Sequence, residues 1–134
     1  SYAYAAVDPS EELLMGPAYS TPAALDRAGI GLDDIDLIEV HEAFSSQVIA
    51  YVRALGSKGF AKEKLGRSQP VGEVDMERLN VSGGSIAIGH TLGATGARII
   101  MTLAYRMSKR KGNFGLVSLA SAGGIGVSLV LEKE

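Results

Sequence analysis

The amino-acid sequence predicts one domain of the layered α/β class. Short apolar segments of strand length alternate with segments of helical periodicity, and the last two apolar segments flank a turn of small residues. The 134 residues suffice for one domain with its own core. The predicted order is strand, helix, strand, helix, short strand, helix, strand, strand. Crossover helices should make most of the sheet parallel, and the final hairpin should add an antiparallel edge.

The first strand is predicted at Tyr2–Val7, an apolar and aromatic run that ends before Pro9, because proline cannot donate to a β ladder. The first helix is predicted within Ser20–Gly29. A hydroxyl residue, Ser20 or Thr21, would cap it, Pro22 would occupy its first position, and Gly29 would follow its last turn. A compact apolar strand is predicted at Asp36–Val40.

The second helix is predicted from Phe44 to Leu55, where apolar residues recur on one helical face and Gly56 follows. Residues 57–80 are polar and broken by glycine and proline, so they predict only a surface excursion.

The third helix is predicted at Thr95–Lys109, with apolar residues at helical spacing and basic residues at its C-terminal end. Apolar strands are predicted at Phe114–Ala120 and Gly126–Leu131, joined by the hairpin turn Ser121–Ile125.

Composition narrows the range of functions. The 13 basic and 15 acidic residues are mixed, with a net charge of −2, which argues against a nucleic-acid partner. No apolar run approaches the ~20 residues of a membrane span, and cysteine is absent, which excludes disulfides and thiolate chemistry from this chain. The first residues do not resemble a secretory signal, so we expect an intracellular location. The abrupt start at Ser1 suggests a piece of a longer protein.

Three stretches rich in small residues are expected at the carboxyl ends of strands, where ligands bind in α/β sheets. They are His41–Phe44, Gly83–Gly96 and Ala120–Gly126. The last could present backbone N–H groups as an oxyanion hole, or be a plain hairpin turn. With two histidines and no cysteine, no metal site is expected.

His90 precedes a predicted helix, whose N-terminus disfavours the imidazolium form, and a neutral ring suits a general base. The alternative is a histidine hydrogen-bonded within its loop. The turn Gly93–Gly96 could hold an anion, but without a Walker lysine or dinucleotide fingerprint a tight helix entry is favoured. His41 could orient a water, polarise a carbonyl or cap the next helix, and Glu42 would oppose that helix's dipole.

In order and separation, these stretches resemble the C-terminal half of a thiolase. His41-Glu-Ala-Phe44 is similar to the family's Asn/His-Glu-Ala-Phe motif, and Gly83-Gly84 with Gly89-His90 to its Gly-Gly and Gly-His-Pro segment. Ala120 to Gly126 is similar to its Cys-x-Gly/Ala-Gly-Gly-x-Gly segment. The resemblance covers essentially the whole chain. With histidine at position 41, Gly59-Phe60-Ala61 and Gly72-Glu73-Val74-Asp75, the chain most resembles the thiolase subunit of the fatty-acid β-oxidation complex.

The resemblance implies a βαβαβαββ half with a five-stranded mixed sheet and helices on both faces. Residues 1–134 would be the C-terminal domain, with the N-terminal half and the CoA-holding loop domain absent. The implied activity is acyl transfer between 3-ketoacyl-CoA and CoA, or the reverse Claisen condensation. CoA and acyl-CoA are substrates, and no cofactor is implied. The family also implies a homodimer or larger assembly, in the bacterial cytoplasm or the mitochondrial matrix.

The family's roles carry over by position. His90 would deprotonate the nucleophilic cysteine of the N-terminal half, and His41 would place a water at the enolate oxygen. The Ala122 N–H would serve the second oxyanion hole. Phe44 would wall the acyl pocket, and Gly89 and Gly123 would also contact substrate.

Two residues depart from the family pattern. Ala120 occupies the position of the second catalytic cysteine, and a methyl group cannot exchange protons. Ser121 is not expected to replace it, because adjacent side chains on a strand point to opposite faces. Thr91 replaces the usual proline, a change expected to be tolerable.

The sequence therefore predicts an impaired thiolase domain that is inactive alone. The alternatives are a non-catalytic thiolase-like protein that binds acyl-CoA or has a structural role, and a pure protein-interaction module.

Overall fold

A computed structural model describes residues 1–134. The strands are β1 Tyr2–Ala6, β2 Leu37–Val40, β3 Phe114–Ser121 and β4 Ile125–Glu132. The helices are α1 Pro9–Glu12, α2 Gly16–Ala28, α3 Ser45–Gly56, α4 Lys58–Lys64, α5 Ser85–Ile88 and α6 Thr95–Lys109. A single 3₁₀ turn spans Leu32–Asp34. None of the helices combines the length and apolarity needed to cross a membrane.

The sheet has the strand order β1-β4-β3-β2, and β2–β3 is its single parallel pair. The prediction of a mostly parallel sheet with the hairpin at its edge is therefore wrong. Strands β1, β2 and β3 do run in the same direction, as crossover helices require. However, β4 pairs antiparallel with both β1 and β3, so the β3–β4 hairpin lies at the centre of the sheet.

The sheet contains four strands, whereas five were predicted. The short strand before α6 is reduced to one bridge, between Ile38 and Leu79. The Ile38 N–H donates to the Arg78 carbonyl at 2.9 Å, and the Asn80 N–H donates to the Ile38 carbonyl at 2.8 Å. Asn80 then adopts a left-handed conformation, with φ of 47°, which ends the pairing.

Helix α2 begins at Gly16, before the predicted hydroxyl cap at Ser20 or Thr21. Ser20 and Thr21 do not cap it. Their buried hydroxyls bond to Ser128 Oγ, at 2.7 and 3.0 Å, and join the helix to β4. The helix ends as predicted at Gly29, which has φ of 72°.

Helix α4 lies where only a surface excursion was predicted. The Ser57 hydroxyl caps it by accepting from the Phe60 N–H at 3.1 Å, so a hydroxyl N-cap was the signal that could have revealed it. The predicted bounds of α6 and the hairpin between β3 and β4 are confirmed.

Helices cover both faces of the sheet, as predicted. Neighbouring residues of β3 point to opposite faces, and Leu116 belongs to the larger core while Val117 belongs to the smaller one. The larger core includes α2 and α3 residues such as Leu25, Tyr51 and Leu55. The smaller core is formed by α6 with β2 and β3: Leu37, Ile99, Leu103, Met107 and Val117.

Glu39 is a buried carboxyl on the α6 side of β2. Its side chain is 2% exposed, and Oε2 has no hydrogen-bond partner. Burial raises the pKa of Glu39 to about 7, with a further contribution from the Glu42 carboxylate, against the opposing charges of Arg98 and Arg106. The folded state therefore holds this proton more tightly than the unfolded chain does.

Because the folded pKa lies above the ordinary value of 4.5, the contribution of Glu39 to the free energy of unfolding should fall as pH rises from about 4.5 to about 7. Glu39→Gln should remove that decline and make the protein more stable at pH 8, by up to about 3 kcal/mol. Urea unfolding at several pH values measures both effects. The matched control is Glu77→Gln, an exposed carboxyl, which should retain the decline. A decline that persists in Glu39→Gln would contradict this assignment.

The start of α2 packs directly on β4 through two glycines. A Cβ on Gly126 would lie 2.0 Å from the Gly16 carbonyl carbon, and one on Gly16 would lie 2.4 Å from the Gly126 nitrogen. Backbone atoms cannot yield as a flexible side chain can. Gly126→Ala should therefore reduce the free energy of unfolding by at least about 2 kcal/mol, measured by urea unfolding. Gly59→Ala, on exposed α4 with only a 3.7 Å contact, should be neutral or stabilising, and equal effects would refute the contact.

Candidate active site

A cleft of about 440 Å³ lies at the carboxyl ends of β2 and β3, beside the start of α6. Parallel pairing brings these strand ends together, and the His41 N–H extends the ladder by donating to the Ser118 carbonyl at 2.9 Å. The lining includes His41, His90, Thr95, Ala120, Ser121 and Ala122. Four predicted site residues, the two histidines and two alanines, therefore share one cleft.

The two histidines face each other across this cleft. Their ring centroids are 4.4 Å apart, with the rings inclined by 37°. His41 is buried, whereas His90 is exposed. Residues that are 49 positions apart in the chain thus form one pair of imidazoles.

His41 is oriented from behind by a serine and an arginine. Its Nδ1 lies 2.8 Å from Ser85 Oγ, which also accepts a hydrogen bond from Arg98 Nη2 at 3.0 Å. Burial lowers the pKa of His41, and the positive charge of Arg98 lowers it further. The ring is therefore held in its neutral form. His41 does not cap α3, since that helix begins after Phe44 without a side-chain cap.

His90 is tied to the first residue of α6. Its Nδ1 lies 2.7 Å from Thr95 Oγ1, so the expected loop hydrogen bond exists but leaves Nε2 unengaged. The Thr91 N–H also donates to Thr95 Oγ1, at 3.2 Å, a bond that proline at position 91 could not make. Thr91 therefore adds a tie between the histidine loop and α6.

Glu42 lies before α3, not in its first turn, so the prediction that it opposes the α3 dipole is wrong. Its carboxylate accepts from Asn80 Nδ2 at 2.7 Å and from the Ile86 N–H at 3.0 Å. A Cβ on Gly84 would lie 2.2 Å from Glu42 Oε2. Gly84, just before α5, therefore makes room for a carboxylate that fastens this loop to the end of β2.

The turn between β3 and β4 supplies backbone donors. Ala120 is 5% exposed and lies opposite Gly126, and Ala122 follows at the cleft wall. No hydrogen bond within the chain uses the Ala122 N–H. Ser121 also lines the cleft. The expectation that adjacent side chains on a strand point to opposite faces therefore does not by itself exclude Ser121 from the site.

Three predicted substrate contacts are not part of the cleft lining: Phe44, Gly89 and Gly123. Phe44 is 63% exposed, and each glycine is next in the chain to a residue that does line it. In the possible anion site, the Ala94 and Thr95 N–H groups are already bonded to the Thr91 carbonyl, at 3.0 and 3.1 Å. This pairing agrees with a tight helix entry.

Sequence reasoning missed Ser85, Thr95 and Arg98, whose contacts orient the two rings. The signal available was that Ser85 and Thr95 are hydroxyl residues just before and after the predicted base, His90. The cleft thus offers two imidazoles and a backbone donor, but it has no thiol or carboxylate. No group of three histidine, cysteine, aspartate or glutamate side chains could hold a metal ion.

Comparison with known proteins supports the motif assignment. The family model described as "Thiolase, C-terminal domain" matches residues 1–133. The 3-ketoacyl-CoA thiolases of Photobacterium profundum and Escherichia fergusonii are each 52% identical over all 134 residues. The chain spans 31% of the length of these relatives.

A solved structure shows the same fold. The crystal structure of the Bacillus anthracis acetyl-CoA acetyltransferase superposes with a TM-score of 0.77 and 35% sequence identity. The match covers 98% of this chain and 29% of that one. From the histidine cleft, the family match over residues 1–133 and this shared fold, we conclude that the chain belongs to the thiolase family.

Proposed function

We propose that residues 1–134 are the C-terminal domain of a 3-ketoacyl-CoA thiolase, an acyltransferase of fatty-acid β-oxidation. The observation that carries the proposal is the meeting of His41, His90 and the free Ala122 N–H in one cleft. The names of the relatives support the substrate class. Their bacterial origin supports a cytoplasmic location. The N-terminal half and the loop domain that holds CoA would lie outside this chain.

The proposed reaction uses a cysteine thiol from the N-terminal half. His90 Nε2 would take the thiol proton, and the thiolate would attack the 3-keto carbon of the substrate. The bond between C2 and C3 would then break, leaving an acyl-cysteine and the enolate of acetyl-CoA. His41 and the Ala122 N–H would stabilise negative oxygens in these steps, at about 3 kcal/mol per donor. CoA would finally take the acyl group from the cysteine.

Ala120 weakens this reaction at one defined step. The acetyl-CoA enolate needs a proton at its α-carbon, and the methyl group of Ala120 can neither donate nor accept one. We therefore expect slow thiolysis from the complete protein and none from the isolated chain. Ala120 also favours a second candidate function, a non-catalytic thiolase-like protein that binds acyl-CoA or has a structural role.

The exposed side of α6 supports the proposal that this domain contacts another protein domain. Met101 and Tyr105 on α6 are 71% and 62% exposed and line one surface groove. Exposed apolar residues grouped in this way mark contact surfaces. We assign this surface to the N-terminal half of the same protein, within a homodimer or larger assembly.

Restoring the thiol tests the proposal. In the complete protein that carries this chain, Ala120→Cys should raise the rate of thiolysis of a short 3-ketoacyl-CoA by about 100-fold or more, because it returns a proton carrier to the cleft. Adding His90→Asn should cancel the gain. The matched control is Ser121→Cys, which adds the same thiol one residue away and should give no comparable gain.

Calorimetric titration with a short acyl-CoA separates the alternatives. If Ala120→Cys gives no thiolysis but acyl-CoA binds to the parent protein, the non-catalytic function is supported. Absence of both thiolysis and binding would indicate a pure protein-interaction module, and the proposed enzyme would be rejected.

A further inference from the structure

The hydrogen-bond partners behind the two histidines differ in a way that determines where each ring carries its proton. Both rings are held through Nδ1, by Ser85 Oγ and by Thr95 Oγ1, and no hydrogen bond within the chain uses either Nε2. A neutral imidazole has one N–H and one bare nitrogen, so the partner of Nδ1 decides whether Nε2 donates or accepts.

At Ser85, the arginine settles the direction of the bond. Arg98 can only donate, so its Nη2 bond to Ser85 Oγ at 3.0 Å uses one lone pair of the oxygen. The Ser85 proton then has one acceptor in the structure, His41 Nδ1 at 2.8 Å. If His41 Nδ1 donated instead, the proton of this buried hydroxyl would have no acceptor, at a cost of about 1–3 kcal/mol. His41 therefore carries its proton on Nε2.

At Thr95, the backbone of Thr91 determines that the hydroxyl accepts a hydrogen bond from the histidine, the opposite of the direction at Ser85. Thr95 Oγ1 donates to the Thr91 carbonyl at 3.2 Å and accepts from the Thr91 N–H at 3.2 Å. With its single proton committed, Oγ1 can only accept from His90 Nδ1, at 2.7 Å. This direction keeps all three hydrogen bonds, whereas the reverse direction loses one. In its neutral form, His90 therefore carries its proton on Nδ1, which leaves Nε2 bare.

We propose that Ser85, with Arg98, and Thr95 are positioning residues that hold His41 and His90 in opposite neutral tautomers. The cleft then contains one N–H donor, His41 Nε2, beside one base, His90 Nε2, on rings 4.4 Å apart. The lowered pKa of His41 agrees with a neutral ring. The catalytic use of this pair rests on the proposed function. In that reaction the bare nitrogen of His90 would accept the thiol proton, and the N–H of His41 would donate a hydrogen bond that stabilises the enolate oxygen. The tautomers themselves rest only on the hydrogen bonds.

Nitrogen NMR of the imidazoles tests the assignment. In the complete protein with ¹⁵N-labelled histidine, a protonated and a bare ring nitrogen have well-separated chemical shifts. His41→Asn and His90→Asn identify the signals of each ring by their loss. We expect Nε2–H for His41 and Nδ1–H for His90 in the parent protein.

Substitution of each hydroxyl should affect one ring only. Ser85→Ala should shift His41 to a mixture of tautomers and leave His90 unchanged. Thr95→Val should shift His90 to a mixture of tautomers and leave His41 unchanged. Thr95→Ser, which keeps a hydroxyl, should retain the parent tautomer of His90. Thr102→Val, which removes a hydroxyl elsewhere on α6, should change neither ring. The inference is overturned if both rings share one tautomer in the parent protein, or if the Ser85 and Thr95 variants leave the tautomers unchanged.

The NMR result and the thiolysis result are independent. Opposite tautomers without acyl-CoA binding or thiolysis would reject the proposed function and retain the positioning roles. Thiolysis in Ala120→Cys with identical tautomers would retain the function and reject the positioning roles.

Discussion

The parallel pairing of β2 with β3 is the contact on which the rest of the arrangement depends. It runs from Leu37 opposite Gly115 to Val40 opposite Ser118, and His41 extends it by one further hydrogen bond. Because β2 and β3 run in the same direction, their carboxyl ends lie at the same edge of the sheet. Helix α6, which leads into β3, must run from that edge back to the start of β3. The ends of the strands and the first turn of α6 therefore meet at one place, which is the histidine cleft.

Close backbone approaches keep these layers in position. A Cβ on Gly115 would lie 2.6 Å from Met107 Sδ, so the absence of a side chain at Gly115 lets α6 pack closely on β3 at this point. On the other face, Gly16 and Gly126 bring α2 into direct contact with β4. The side of β4 that faces α2 also carries a buried hydroxyl network. Thr21 Oγ1 lies 3.0 Å from Tyr51 OH, and burial raises the pKa of Tyr51 to about 12.

Hydroxyl groups play different parts in the core and in the cleft. In the core, Ser20, Thr21, Ser118 and Ser128 satisfy one another, because a buried polar atom without a partner is costly. In the cleft, Ser85 and Thr95 bond to imidazoles, and their remaining partners determine which nitrogen keeps the proton. Hydrogen bonds therefore hold the two imidazoles of the cleft, while its own side chains include no thiol that could act as the nucleophile or carry the α-proton.

Local signals in the sequence by themselves determined much of the fold. Helical periodicity determined α6 from Thr95 to Lys109, and the glycine turn determined the β3–β4 hairpin, because each depends on residues near in the chain. The motif stretches likewise located His41, His90 and Ala122. Tertiary structure alone decided that β4 lies between β1 and β3, that Leu79 forms one bridge rather than a strand, and that Glu42 binds Asn80 and Ile86. It also decided that Ser85 and Arg98 orient His41, since the partner of a hydrogen bond is set by distance in space, not in sequence.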